Sequence, residues 1–321
     1  MARKTHKAQH YIPRSYLSAW TDPATPAGQE PYVWMFPQEG GEPRRRAPHN
    51  IFTETDMYTI KAADGERDLS IEHGLSQLEG WFAEIRRDFL EKIRRIPPDG
   101  RVKLAAFAAA LKSRTPAYRD HNKQFWQHAY NVMQDMKEGM SKMTPEQRKD
   151  FARMSPPRSA DSGRGMGEEE VKHLLENTTQ VLMPISIEVC TPIMSQMYFT
   201  VFCTNTQPGF ITSDNPVVWF DPEAYKLPRM FRSPGLGTRT IEVSLPISPR
   251  QMLLIHHAVE GDPEREPVVY IDAKDDVVHD LNRRTRAYSK QGFVVMQNYT
   301  NPIWFERGSP PDAEKVTEGS A

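Results

Sequence analysis

Apolar residues at Ile71, Leu75, Leu78, Phe82, Ile85, Phe89 and Ile93 recur at steps of four and three. That rhythm is one face of a 3.6-residue period and predicts a long helix from about Ser70 to Arg95. Ser70 is placed to cap its start, and Pro97-Pro98 stops it. An alanine-rich stretch from about Val102 to Ser113 predicts a second helix, interrupted at Pro116. Phe125, Ala129, Val132, Met136 and Met140 mark a third. Thr144-Pro145-Glu146 reads as a cap followed by proline at the first helical position, opening a short helix that ends near Met154. Ser155 to Gly167, rich in proline and glycine, reads as a loop or linker. Helical pattern resumes from Glu168 to about Met194, with Pro184 expected to kink or end it.

The pattern then changes to short runs with the alternation of strands. Met197 to Cys203 predicts a strand, with Gly209 to Thr212 as its hairpin partner across a turn at Asn205 to Pro208. Val217 to Phe220, Thr240 to Leu245, Met252 to Val259 and Gly292 to Met296 predict further strands. One late helix is expected from Asp275 to Lys290, with Val277, Leu281 and Ala287 inward. Near the start, Pro13 opens a short helix carrying Tyr16, Leu17 and Trp20. Strands are expected at Pro31 to Pro37 and Asp56 to Ile60, with a loop from Gly40 to Asn50 that holds Arg44, Arg45 and Arg46. Helices thus fill the first two-thirds and strands the last third. The expected class is α+β, a helix-rich body packed against a C-terminal antiparallel sheet with a late helix. We read residues 1–307 as one domain and the polar stretch 308–321 as a disordered tail.

The chain has 321 residues, 38% of them hydrophobic and 10% aromatic, enough to bury a core. Its formal net charge of -1 argues against a general nucleic-acid coat, so any anion binding must come from local clusters. Two cysteines, Cys190 and Cys203, cannot form a disulfide framework and point to a reducing compartment. Each follows an apolar residue, which suits a core position better than a nucleophile. The basic N-terminus is not followed by an apolar run, and no stretch approaches the ~20 apolar residues of a membrane span. We therefore expect a cytoplasmic protein with no membrane partner. Neither a GxGxxG nor a phosphate-loop motif occurs, nor HExxH, nor a Gly-x-Ser-x-Gly elbow. Asp276 with His279, and adjacent His256 and His257, do not complete a metal site.

A set of short motifs in fixed order runs along the chain. It begins with His10-Tyr11-Ile12-Pro13 and Tyr16-Leu17, then Ile71-Glu72 at the long helix and Arg114-Thr115-Pro116 after the alanine-rich one. The longest is Phe210-Ile211-Thr212-Ser213-Asp214-Asn215-Pro216-Val217-Val218, followed by Leu245-Pro246-Ile247-Ser248-Pro249 and Leu281-Asn282. In this order, from about His10 to Val295, the chain resembles the bacterial domain of unknown function 4238 family. One departure is the helix around Ala108, where the family pattern has a glutamine shortly before the arginine and this chain has Ala110, Leu111 and Lys112. The resemblance implies no activity. It implies positions to examine and a scattered accessory-gene setting that fits genetic conflict or phage defence.

Each of those positions has a chemical and a structural reading. His10 suits a general base, a metal ligand or a phosphate partner, or a residue that locks the N-terminal arm to the body. Glu72, in the first turn of the long helix, is an acidic partner or simply favourable to the helix dipole. Arg114, at a helix end, is a bidentate clamp for phosphate or carboxylate, or a cation suited to the dipole. Asp214 and Asn215 project polar groups from a strand end or form a turn before Pro216. Asn282 is a polar residue in mid-helix that needs a partner, whether a ligand or the Asp214 loop. Arg283, Arg284 and Arg286 beside it form a solvated face or a phosphate-binding stripe, joined by Arg44 to Arg46.

Two function classes follow. In the first, the protein is an enzyme, a hydrolase or nuclease, acting on a phosphate-containing substrate. His10, Glu72 and Asp214 are then catalytic, and Arg114, Asn215 and Asn282 bind substrate. In the second, it is a non-catalytic module that binds an anion or nucleic acid, and the same polar residues hold the fold together.

Overall fold

The computed structural model describes residues 8–61, 67–154, 165–228, 232–257 and 268–306. The expected linker at Ser155 to Gly167 lies largely, and the tail at 308–321 wholly, outside these residues. The chain opens with β1 (Ala8–His10), the single-turn α1 (Arg14–Leu17) and a 3-10 turn to Trp20. Next come β2 (Val33–Pro37), β3 (Arg44–Arg46) and β4 (Thr53–Thr55), then a small ribbon of β5 (Ile60–Lys61) and β6 (Arg67–Asp68). The helical part holds α2 (Ser70–Ile85), α3 (Pro98–Ser113), α4 (Pro116–Lys142), α5 (Pro145–Met154), α6 (Glu168–Glu176) and α7 (Thr178–Gln196). The C-terminal part holds β7 (Tyr198–Cys203), β8 (Thr212–Ser213), β9 (Val218–Phe220), β10 (Glu242–Ser248), β11 (Gln251–His256), β12 (Val268–Asp272), α8 (Asp275–Tyr288) and β13 (Gly292–Val295). The class is α+β, as the segregation of patterns predicts.

Several details differ from the sequence expectation for identifiable reasons. The main sheet runs β12-β7-β11-β10-β9 and is mixed, because β12 pairs parallel to β7 while the other pairs are antiparallel. The segment after β7 is not its hairpin partner. β8 instead pairs with β13 in a second sheet, β3-β2-β13-β8, that joins both ends of the chain. Such long-range pairing leaves no local signal in the sequence. Arg44–Arg46, expected in a loop, forms an exposed edge strand on β2, and charged residues are tolerated there because an edge faces water. Residues 56–58 form a turn rather than a strand, with Asp56 at φ 54°. Helices α6 and α7 break at Asn177, whereas Pro184 and Pro192 lie inside α7.

The apolar face of α2 is buried through Leu75, Phe82 and Ile85. Its regular turns then widen into a five-residue π-helical stretch at Arg86–Leu90, and Ile93, counted in the apolar stripe, ends exposed at φ 51°. Ala105, Ala106, Ala108, Ala109 and Ala110 of α3 are buried, and their small side chains let α3 lie close against α2 and α7. Phe82 stacks on Phe107 at 4.0 Å between ring centroids, fixing α2 to α3. The stripe on α4 behaves differently: Phe125, Val132, Met136 and Met140 are exposed among the described residues.

The N-terminal arm is bolted to the sheets. Tyr16 places its hydroxyl 2.7 Å from Thr212 Oγ1 and donates to the Pro246 carbonyl at 2.8 Å. Trp20 Nε1 donates to the Phe210 carbonyl at 2.8 Å. Both rings are fully buried. These anchors hold β1 and α1 over the N-terminal half of α2, and a cleft opens between them.

Candidate functional site

A cleft of about 640 Å³ opens between β1, α1 and α2. Glu72 and Glu79 lie seven residues apart on α2, two helical turns, and so line the cleft from one helix face. Gln9 fixes the first of them: its Nε2 donates to Glu72 Oε2 at 2.9 Å and to Thr59 Oγ1 at 3.2 Å. Its Oε1 accepts from the Tyr58 backbone N–H at 2.7 Å, which settles the amide orientation.

Arg114 reaches the cleft from the corner between α3 and α4. Its own N–H closes α3 on the Ala110 carbonyl, Thr115 caps α4 by accepting from Tyr118 N–H, and Pro116 takes the first helical position. The chain must turn at Arg114, which drives its side chain inward. The residue is only 1% exposed. Its Nη1 donates to Glu79 Oε1 at 2.9 Å, while Nε and Nη2 are enclosed and have no partner among the described residues. Those two N–H groups form the side edge of the guanidinium, which matches the two oxygens of a phosphate or carboxylate. An unpaired buried donor is costly, so this edge is the strongest pointer to a ligand in the cleft.

His10 closes β1 opposite Thr53 of β4. Its Nε2 lies 3.1 Å from the His49 carbonyl. A carbonyl only accepts, so Nε2 carries the proton and Nδ1 holds the lone pair. Burial lowers the imidazole pKa below 6.5, against the hydrogen bond to His49 that raises it. His10 is therefore neutral near pH 7, the state a general base requires. His49 itself pairs through Nδ1 with Glu30 Oε1 at 2.8 Å, and both residues line the cleft. The Tyr58 hydroxyl lies 3.5 Å from the His10 carbonyl and 3.4 Å from that of Arg114, between the two.

The volume is that of a small-molecule site. Two arginines, Arg14 and Arg114, face three glutamates, Glu30, Glu72 and Glu79, across this cleft. The balance is near neutral, unlike the positive tract that follows a nucleic-acid backbone. One buried cationic edge, one neutral imidazole and flanking carboxylates suit binding of a single oxyanion and proton transfer beside it.

His10, Glu72 and Arg114 thus meet in one cleft. Asp214, Asn215 and Asn282 are placed elsewhere, at the seam between β8 and α8, and each holds backbone. Asp214 accepts from the N–H groups of Lys290 at 2.9 Å and Gln291 at 3.0 Å, while burial raises its pKa against those hydrogen bonds. Asn215 Nδ2 donates to the Tyr288 carbonyl at 3.0 Å. Asn282, fully buried, accepts from Ile211 N–H at 3.0 Å and donates to the Gly209 carbonyl at 2.9 Å. Gly209 is at φ 82°, where a Cβ would stand 1.9 Å from the Pro249 carbonyl oxygen. The long Phe210–Val218 motif is thus a strap clasped by α8 and the segment after it.

The arginine stripe is also engaged. Arg283 pairs with Asp280, Arg284 with Glu242 and Asp280, and Arg286 donates to the Trp304 and Gln38 carbonyls. Arg45 stacks on Tyr32 and Trp34 at 5.0 and 4.9 Å. His279 Nδ1 accepts from Trp304 Nε1 at 3.1 Å. Among the described residues no group of three or more His, Cys, Asp or Glu side chains is arranged to hold a metal ion, and no helix is long and apolar enough to cross a membrane. Cys190 and Cys203 are free and partly buried, and burial raises both thiols.

Sequence reasoning passed over Gln9, His49, Tyr58 and Glu79. Only Glu79 carried a signal, its seven-residue spacing from Glu72. The others come from short irregular segments with no periodicity to read.

Comparison with curated proteins and with solved structures gives no match. One protein-family model, described as "Protein of unknown function (DUF4238)", matches residues 8–299. That span holds the cleft, the strap and its clasp, and the chain belongs to the DUF4238 family.

Proposed function

We propose that the protein is an enzyme acting on a small phosphate-containing substrate in the His10 cleft. The observation that carries this reading is the enclosed, unpartnered Nε–Nη2 edge of Arg114 at the cleft wall. A phosphoryl group seated on that edge satisfies two buried donors at once. His10 then serves as general base. Its Nδ1 takes a proton from an attacking water or hydroxyl as that oxygen bonds to phosphorus. The ester P–O bond breaks, and the leaving oxygen takes the electron pair and a proton from solvent. Glu72, held by Gln9, orients the nucleophile by accepting its second hydrogen bond. The size and charge of the cleft favour a nucleotide or phosphomonoester over a nucleic-acid duplex. A bacterial setting and a role in phage defence belong to this proposal through family resemblance alone, and a cytoplasmic setting through the two free cysteines. Phage plating on cells with and without the intact cleft tests that part.

A second reading is favoured by the Arg114–Glu79 pair. The carboxylate of Glu79 fixes the guanidinium in place, and an anion held on its free side edge needs no proton transfer. Assays on a panel of nucleotides and phosphomonoesters separate the two. The enzyme reading expects phosphate release by the parent protein, and its loss in His10→Asn with the melting temperature preserved. Saturable binding by both proteins with no turnover in either supports the binding module instead.

A further inference from the structure

A second cleft, of about 530 Å³, opens at the end of the main sheet beside the π-helical stretch of α2. The 3-10 turn that follows α1 borders both clefts, and Ser18 lines each. Gln251 and Cys203 are register partners on β11 and β7 and line its wall. Gln251 is 5% exposed. Its Nε2 donates to the Leu90 carbonyl at 2.7 Å, which fixes the amide orientation and turns Oε1 the other way. Oε1 is enclosed and has no donor among the described residues. A buried acceptor in that state calls for an N–H or O–H donor.

The rim of this cleft carries an unusual residue. Ile93 adopts φ 51° and is 60% exposed. A β-branched side chain is disfavoured in the left-handed region, and at 60% exposure burial in the fold recovers little of that penalty. The strained turn is tied to the same acceptor that holds Gln251, because Ile93 N–H also donates to the Leu90 carbonyl, at 3.0 Å. Strain of this kind collects where a chain meets a ligand. Arg250, next to Gln251 in sequence, also lines the cleft and donates to the Thr206 carbonyl at 3.2 Å. No carboxylate pairs with it among the described residues. Met296 adds an apolar surface to the wall.

A ligand that fits presents a carboxylate to Arg250, an N–H donor to Gln251 Oε1 and an apolar group to Ile93 and Met296. We infer that the second cleft binds the chain end of an N-acylated amino acid or peptide, through its α-carboxylate, its amide N–H and an apolar side chain. The two sources share that chemistry, and size distinguishes them.

Calorimetric titration of the full chain with N-acetyl-leucine, with the tripeptide Ala-Ala-Leu and with N-acetyl-leucine amide tests the inference. The free carboxylates are expected to bind and the amide to bind about tenfold more weakly or not at all. Tighter binding of the tripeptide points to peptides, and equal binding to small N-acyl amino acids. Arg250→Gln is expected to weaken binding about tenfold or more. Ile93→Gly is the sharper variant, because glycine accepts the positive φ. Its melting temperature should hold or rise while affinity falls about fivefold. His10→Asn should leave binding unchanged. Equal affinity for the amide, failure of both carboxylates to bind, or parent-like affinity in Ile93→Gly would overturn the inference.

Discussion

Replacing Asn282 by leucine separates a structural clasp from a site residue. The side chain is fully buried, and its amide answers one N–H and one carbonyl of the Gly209–Ile211 strap. Leucine is close in size and fills the space, but both backbone groups lose their partners. An unsatisfied buried polar group costs about 1–3 kcal/mol, so two of them cost about 2–6 kcal/mol. Burying the leucine returns about 1.5–3 kcal/mol against leaving it exposed. A net loss of about 2 kcal/mol is therefore expected, or a fall in melting temperature of roughly 3 °C for a chain of this size. Urea unfolding followed by circular dichroism measures it, with an unchanged m-value showing that the same surface unfolds. Below the melting point, ligand binding in the His10 cleft should match the parent. A stability within about 0.5 kcal/mol of the parent, the range of an inert surface change, refutes the clasp. Preserved stability with lost binding would make Asn282 a site residue after all.

Three further outcomes follow from the titrating and paired groups. His10 has a folded pKa below its ordinary 6.5, so the unfolded chain binds its proton more tightly. Its contribution to stability is complete above pH 6.5 and is lost as pH falls through the lowered folded value, and catalysis by the neutral base fades over the same range. His10→Gln should flatten the stability profile there. Lys112 lies against the Trp219 ring and donates to the Val217 carbonyl, and desolvation lowers its pKa to about 8. The unfolded chain then holds more protons between about pH 8 and 10.5, so stability should rise across that window and Lys112→Met should remove the rise. Glu79→Gln leaves the buried Arg114 charge without its counter-ion. It should destabilise the protein by about 3 kcal/mol in thermal unfolding, and added phosphate should restore part of the loss.

How much the sequence revealed depends on how local each feature is. The helices α2, α4 and α8 announce themselves by period, since side chains three and four apart share a face whatever lies opposite, and α3 by its run of alanines. Pairing of β8 with β13, and of β13 with β2, was invisible, because partners tens to hundreds of residues apart leave no mark on one another's pattern. Ile93 shows the limit from the other side. It fits the apolar stripe perfectly, yet the π-helical stretch shifts the helix phase and throws it outward. Among the site residues, His10, Glu72 and Arg114 converge because β1, α2 and the α3–α4 corner are packed together. Asp214, Asn215 and Asn282 stand out in sequence for another reason: a strap whose strand pairing with β13 is confined to Thr212–Ser213 must have its other backbone groups answered by side chains. The polar residues that make a site and those that hold a strap look alike until their partners are known.

The central claim is that the side edge of Arg114 holds a phosphoryl group. Titration of the protein with inorganic phosphate, followed through the arginine Nε–H resonances, tests it most directly, with the Arg114 signal assigned from Arg114→Lys. This one resonance is expected to move downfield and saturate, its exchange with solvent to slow, and His10→Asn to keep the response. An Arg114 signal that stays fixed while other resonances shift, or no saturable response in any of them, would contradict it.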